Sequence, residues 1–201
     1  MFLFLDVVSP IPEFHLIKDK KIIVSIKITE NNDEKLSDTI IPKYLKISKT
    51  YELNKKITHF ILTTGPGSYT ALRVGASFIA GLSQSMSLPV AIVSTENIYK
   101  FISNSNINSG IYFQSSNNQN FLTFKLDDKF VHHKIENRNF IYPKHITNLF
   151  YNIRCPEFYD HSLISTPFSI QDIILKNINN LEFKKNLIIR PIYISNNELL
   201  N

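Results

Sequence analysis

The sequence predicts an α/β protein in which strands alternate with helices, and three runs of residues carry that expectation. Phe2–Val8 is a near-continuous apolar stretch of the kind that fills the centre of a sheet covered on both faces. Ile57–Thr64 is a second β-rich run. It breaks on Gly65-Pro66-Gly67-Ser68-Tyr69-Thr70 and passes directly into an apolar segment from Ala71 to Leu82. Val90–Ser94 follows after Pro89 as a third strand, so strand, sharp turn, helix and strand succeed one another within a short length, as in a βαβ unit.

The remaining elements fall around these. Pro10 and Pro12 end the first strand, Glu13–Ile17 and Lys21–Thr29 supply two more, and Lys18, Lys20 and Lys21 flank the turn between them. Leu36–Ser48 places Ile40, Ile41, Tyr44, Leu45 and Ile47 mostly on one side of a helix, kinked or restarted at Pro42. A short helix is expected at Thr95–Ser103. Three strands, helix, strand, helix, strand is the order of a ribonuclease-H-like lobe. In the second half, Ile111–Ser115, Asn120–Leu126 and Lys129–Glu136 read as strands with turns at Asn117-Asn118 and Asp127-Asp128, and Lys144–Ile153 and Ser169–Ile178 read as helices behind Pro143 and Pro167. The polar tract Ser103–Asn108 is the natural boundary, giving a first lobe over residues 1–102 and a smaller one over residues 103–201.

Four of the chain's five glycines, Gly65, Gly67, Gly75 and Gly81, lie between Ile57 and Pro89, so the backbone there must bend sharply or approach something closely. Two familiar nucleotide motifs do not fit. A dinucleotide fingerprint needs a glycine where Thr70 stands, and a Walker A loop needs Lys followed by Ser or Thr after its last glycine. What survives is a turn, Gly65, Pro66, Gly67, Ser68, Tyr69 and Thr70, with Arg73 one turn into the helix, a set of amides, hydroxyls and a guanidinium that suits an anion. The alternative is architectural: the glycines make the bend while Ser68 or Thr70 caps the helix. In the helix only Arg73 and Ser77 are polar between Ala71 and Leu82, which demands cover on more than one side. Its small residues, Ala71, Gly75, Ala76, Ala80 and Gly81, allow another helix to come close, and a partner is the favoured cover over the chain itself.

Composition narrows the class. At 201 residues the chain can bury a sizeable core, and the single cysteine, Cys155, excludes a disulfide framework. The N-terminal apolar run is broken by Asp6, lacks a basic flank, and no stretch reaches membrane-spanning length, so a soluble cytoplasmic protein is expected. The formal charge of +5 is spread over lysines that occur singly or in short pairs, with no run that would mark a nucleic-acid face. Among the six histidines only His132 and His133 are neighbours, and adjacent residues on a strand point to opposite faces, so no shared metal is expected. Cys155 has no assignable base, and Ser68 stands in Gly-Pro-Gly-Ser rather than in the Gly-x-Ser-x-Gly elbow of hydrolases.

The segment from Thr58 to Thr95 resembles the signature region of the TsaB (YeaZ-like) family. The pattern is a strand, Gly-Pro-Gly-Ser-aromatic-Thr, a hydrophobic residue, Arg, an aliphatic residue and Gly, then Gly-Leu, Pro and a strand ending in Ser. It is met by Gly65–Thr70, Leu72, Arg73, Val74, Gly75, Gly81, Leu82, Pro89 and Val90–Ser94. Arg190–Ile194, RPIYI, is similar to the family's closing strand. The resemblance implies an actin-like ATPase (ASKHA) fold of two related lobes, the second reduced. It implies a non-catalytic role in making threonylcarbamoyladenosine in tRNA beside TsaD, a catalytic relative that carries a metal-binding histidine pair absent here. Where TsaB-like chains read Asp-Thr-Ser after the first strand, this one reads Asp6-Val7-Val8-Ser9-Pro10, which removes donors that an ATP site would need, and leaves Asp6 to accept amides of its own turn.

The implied function is a scaffold with no catalytic residues, no metal and no cofactor of its own. Its two helices, Leu36–Ser48 and Ala71–Met86, are expected to dock a TsaD-like subunit through Ile40, Ile41, Tyr44, Leu72, Gly75, Ala76, Ile79, Ala80, Leu82 and Ser83. A TsaE-like ATPase would join near Arg73 and the glycine turn, tRNA would be met through the partner, and a homodimer could form on the same helices. On this reading a bulky side chain at Gly75 weakens assembly and leaves the monomer folded. The rival readings are an actin-like ATPase or kinase with its phosphate site at the glycine turn, and a stand-alone tRNA-binding protein.

Overall fold

The computed structural model describes residues 1–30, 34–103, 108–115, 119–135, 140–153 and 163–194. Cys155, His161, the Asn117-Asn118 turn and most of the Ser103–Asn108 boundary tract lie outside them. The chain forms two five-stranded sheets. In the first, β1 (Phe2–Asp6) lies between antiparallel β2 (Glu13–Lys18) and parallel β4 (His59–Thr63); β3 (Lys21–Lys27) and β5 (Val90–Val93) complete the order β3-β2-β1-β4-β5. Asp19 and Lys20 turn the β2–β3 hairpin with positive φ, as a two-residue connection between twisted strands requires. The second sheet repeats this scheme. β6 (Ser109–Gln114) pairs antiparallel with β7 (Asn120–Leu126) and parallel with β9 (Asn148–Asn152), with β8 (Lys129–Ile135) and β10 (Ile164–Phe168) at the two edges. The mixed α/β architecture expected from the strand and helix order is thus present, and it appears twice.

Helix α1 (Leu36–Tyr51) runs straight through Pro42 instead of breaking there. Pro42 is exposed, so the carbonyl of Asp38 that it deprives of a donor is open to water. A short helix, α2 (Leu53–Lys56), follows after Glu52 turns with positive φ. The glycine turn leads into α3 (Tyr69–Met86), β5 into α4 (Thr95–Ser103), and β10 into α5 (Ile170–Lys176), which Ser169 caps by accepting the amide of Asp172. One apolar core joins β1, β2 and β4 to α1 and α3, and continues through Ile98 and Tyr99 of α4 and Ile170, Ile173 and Ile174 of α5 to Ile111 and Phe113 of β6. A smaller cluster, Tyr112, Leu122, Phe124, Ile146 and Leu149, covers the outer face of the second sheet.

Two expectations are corrected and one strand is added. Lys144–Ile153 is not a helix: Lys144 and His145 turn, and Asn148–Asn152 is the strand β9, because Leu-Phe-Tyr suits a slot between two parallel neighbours better than an exposed helix. Ile164–Phe168 is a further strand, tolerating Pro167 because it lies at an edge. Arg190–Ile194 is not a strand but an extended segment lying beside the glycine turn.

The apolar α3 is covered mainly by the chain itself, contrary to the favoured expectation of a partner. Successive residues advance 100° around a helix, so its sides can be assigned one by one. Gly75, Ile79 and Leu72 face the sheet; Phe78 meets Tyr44 of α1 and Phe14 of β2, with ring centroids 5.3 and 5.8 Å apart. A Cβ on Gly75 would stand 2.8 Å from Cγ1 of Val7 and 3.4 Å from Cδ1 of Leu62. Gly75 is therefore the point where α3 touches the first sheet, at Val7 just past β1 and at Leu62 of β4. Replacing it by leucine is expected to destabilise the monomer by about 2–3 kcal/mol through overpacking, read as a lower denaturation midpoint.

A pH effect follows from two histidines. His59, stacked 5.0 Å from Phe2, has its pKa lowered by burial and by the N-terminal charge; His133, stacked on Phe124, has its pKa lowered by burial and by its neighbour His132. A lowered folded pKa favours the neutral form, so this contribution to stability is full above the unfolded histidine pKa, about 6.5, and falls as the pH drops through the folded values. The thermal midpoint is expected to decline on acidification below that point, and to decline less in His133→Gln.

Candidate functional site

The end of β1 is where an actin-like fold would hold a metal or phosphate. Here Asp6 is fully buried, and its carboxyl oxygens accept bonds from the amides of Val8 (3.0 Å) and Ser9 (3.3 Å), from Thr63 Oγ1 (3.1 Å) and from Ser9 Oγ (2.5 Å). Thr63 Oγ1 also takes the amide of Val7, and Asn152 of β9 donates to Ser9 Oγ at 2.8 Å. The carboxylate accepts the backbone of its own turn, as the sequence suggests, and the same group of bonds ties the second sheet to the first. Among the described residues no cluster of three or more His, Cys, Asp or Glu could hold a metal ion.

The glycine turn is closed over in a similar way. Gly65, Pro66, Gly67 and Ser68 are all buried, leaving Tyr69, Thr70 and Arg73 at the surface. Gly65 has φ +103°, and a Cβ there would lie 2.8 Å from the carbonyl oxygen of Ile192. Its own carbonyl accepts the amide and hydroxyl of Thr95, while Ile192 donates its amide to Thr64 O at 2.8 Å. Ser68 occupies the N-cap position with no capping bond from its side chain, though its carbonyl accepts the Leu72 amide. Arg73 stands 5.6 Å from the ring centroid of Tyr193, which stacks on Tyr69 at 5.0 Å, and Tyr69 Oη donates to Ile194 O. The set suited to an anion is thus engaged with the chain's own C-terminal segment.

A polar relay leaves the glycine turn on the other side. Thr95 Oγ1 lies 3.4 Å from Thr123 Oγ1, which lies 2.8 Å from His132 Nδ1, and His132 Nε2 reaches Glu96 at 3.3 Å. His132 therefore faces α4 while His133 faces Phe124, on opposite sides of β8. Residue spacing carries no sign of this relay, because its members are paired by the sheet register.

Of the expected docking residues, Ile40, Tyr44, Leu72, Gly75, Ala76, Ile79 and Ser83 are buried against the chain's own core; Ala80 and Leu82 are half-buried. Ile41 is 55% exposed. Leu45, four residues on, is 60% exposed and was read as part of the same apolar side of the helix. On α3, Thr70, Arg73, Ser77, Gly81, Gln84 and Ser85 are open to solvent, and nothing lies within 4 Å of a Cβ placed on Gly81. Apart from Arg73 and Gln84 this surface is a trough of small side chains, and α1 exposes two large aliphatic ones of its own. Gly81, not Gly75, is the glycine at which a second backbone could approach.

Comparisons with known proteins fit this geometry. Residues 28–106 match the model of the family described as TsaD, tRNA N6-adenosine threonylcarbamoyltransferase, a span that holds α1, β4, the glycine turn, α3, β5 and α4. The structure of YeaZ from Pseudomonas aeruginosa superposes with a TM-score of 0.60 at 12% identity, covering 96% of this chain and 99% of that one. A second structure, of an uncharacterized protein with similarity to peptidase YEAZ from Pseudomonas aeruginosa, gives 0.56 at 13% identity, with the same coverage of both chains. No curated protein matches the sequence. Among the described residues no helix is long and apolar enough to cross a membrane. The resemblance carried by Thr58–Thr95 is borne out: the chain has the YeaZ fold over nearly its whole length, and the TsaD family model matches the span from the end of the β2–β3 hairpin through α4.

Proposed function

We propose that this protein is a non-catalytic subunit of the machinery that forms threonylcarbamoyladenosine in tRNA, and that it holds a TsaD-like catalytic subunit through α1 and α3. The observation that carries the reading is that the chain leaves open a trough of small residues on α3, Thr70, Ser77, Gly81 and Ser85, while α1 exposes the aliphatic Ile41 and Leu45. A surface of small residues flanked by aliphatic ones accepts a helix at short interaxial distance and buries its ridge. The saturated Asp6 carboxylate and the closed glycine turn support placing the chemistry in the partner. On the same reading the protein is cytoplasmic, tRNA is met through the partner, a TsaE-like ATPase joins near Arg73, and the same trough pairs two copies when the partner is absent.

Purified chain and a TsaD-like subunit are expected to co-elute in size-exclusion chromatography at micromolar concentration; separate elution would sink the proposal. Gly81→Leu is expected to weaken that assembly at least about tenfold by filling the trough. The monomer's melting temperature should hold or rise, since leucine is favoured over glycine in a helix by up to about 1 kcal/mol. Ile41→Asp is expected to weaken assembly in the same direction with an unchanged circular dichroism spectrum.

A further inference from the structure

The C-terminal segment after β10 and α5 does not end in the sheet. Lys184 exchanges two backbone hydrogen bonds with Val90 at the start of β5, at 2.9 and 3.0 Å. From there the chain travels antiparallel to α3. Asn186 and Leu187 lie near Ala80, Ser83 and Gln84, toward the end of the helix; Ile192 reaches Thr64 and Gly65; and Tyr193 stacks on Tyr69 in its first turn. Tyr69, Arg73, Ala80, Ser83 and Gln84 fall within one narrow arc at 100° per residue. That arc is the flank of α3 opposite α1.

The hold on this flank is slight along most of its length. Between Lys185 and Tyr193 no residue is buried, and Ile188 is 74% exposed. Asn186 and Leu187 share the lining of a half-open cavity of about 350 Å³ with Ala80, Ser83 and Gln84 of the helix and with Val90. Between the Lys184 anchor and the buried Ile194, the described backbone bond to the body of the protein is the one from Ile192 to Thr64. Ile189 packs on the core, but a run of half-buried and exposed residues beside a half-open cavity is the kind of segment that opens without the rest of the fold. Its two ends are held differently: Lys184 is joined through a paired bridge, whereas the far end is held by single bonds from Ile192 to Thr64 and from Tyr69 to Ile194, by burial of Ile194 and by Tyr193 lying between Tyr69 and Arg73.

We infer that residues 185–194 form a releasable strap, an intramolecular occupant of one flank of α3 that a docking partner displaces. Release parts Tyr69 and Arg73 from Tyr193, opens the flank at half-buried Ala80, widens the trough from one side, and uncovers the glycine turn at Gly65. The displacement half of this inference rests on the docking proposed above; the release half does not.

Hydrogen exchange by NMR on the full chain tests both. In the free protein the Ile192 amide is expected to exchange on the order of 100-fold faster than Leu62 of β4. Tyr193→Ala should speed Ile192 further and leave Ile79 of α3 unchanged. Addition of the TsaD-like subunit should speed exchange at Ile192 while slowing it on α3, and Tyr193→Ala should bind the subunit several-fold more tightly. An Ile192 amide as protected as Leu62 overturns the strap outright. Slower exchange at Ile192 in the complex overturns displacement, since the strap would then be part of the interface. If neither wild type nor Tyr193→Ala binds the subunit, the docking proposal falls, and exchange at Ile192 in the free chain still decides whether the strap opens.

Discussion

Asp6 is the group on which the two halves of the molecule depend. Its carboxyl sits at the end of the central strand with no access to water, and a buried acidic group is tolerated only when its oxygens are fully engaged. The turn that follows β1 supplies two amides and the Ser9 hydroxyl; Thr63, one strand over, supplies another hydroxyl. Because Ser9 Oγ donates to Asp6, it has a lone pair left for Asn152, and that is how β9 of the second sheet is brought to β1 of the first. In an enzyme of similar plan the same corner would have to stay open for a ligand. Here it is used as a joint, and valines at positions 7 and 8 turn the rest of the corner toward the core.

The first lobe was largely legible because its signals are local. Apolar runs, the Asp19-Lys20 turn and the glycine break each state a conformation that the neighbouring residues must adopt, and β1–β5, α1, α3 and α4 lie close to where those signals put them. The second sheet was half legible. Its hairpins are marked by turn residues, but β9 and β10 are short strands with no crossover helix among the described residues to announce them, and Asn148–Asn152 carries a pattern that a helix could equally use. Register with β6 decides between them. That the two sheets share one strand order was invisible in the residues, since topology can be conserved by pairing while side chains change.

The need for cover on α3 was legible, but not which residues the chain itself would cover. An all-round apolar helix must be covered, but periodicity cannot say by what. The sheet takes the Gly75 side, α1 takes Phe78, and the C-terminal segment takes Tyr69 and Ala80, which leaves only the narrow arc around Ser77 and Gly81 for anything else. Of two glycines one turn and a half apart, one serves the fold and the other lies open. Sequence alone assigns both to closeness; only the packing separates them. Arg73 shows the same division, since a guanidinium read as half of an anion site already lies against the face of Tyr193.

The backbone of Gly65 has a consequence for how such chains vary. Its positive φ and the 2.8 Å separation between an added Cβ and the Ile192 carbonyl make residue 65 and the course of the tail a single choice. A chain of this shape whose tail ends earlier, or leaves the body before reaching this corner, is released from half of that restriction, and its residue here answers only to the turn. Two positions separated by well over half the sequence are thereby expected to drift together. An alignment column with a glycine at this turn carries information about the course of a segment well over a hundred residues further on.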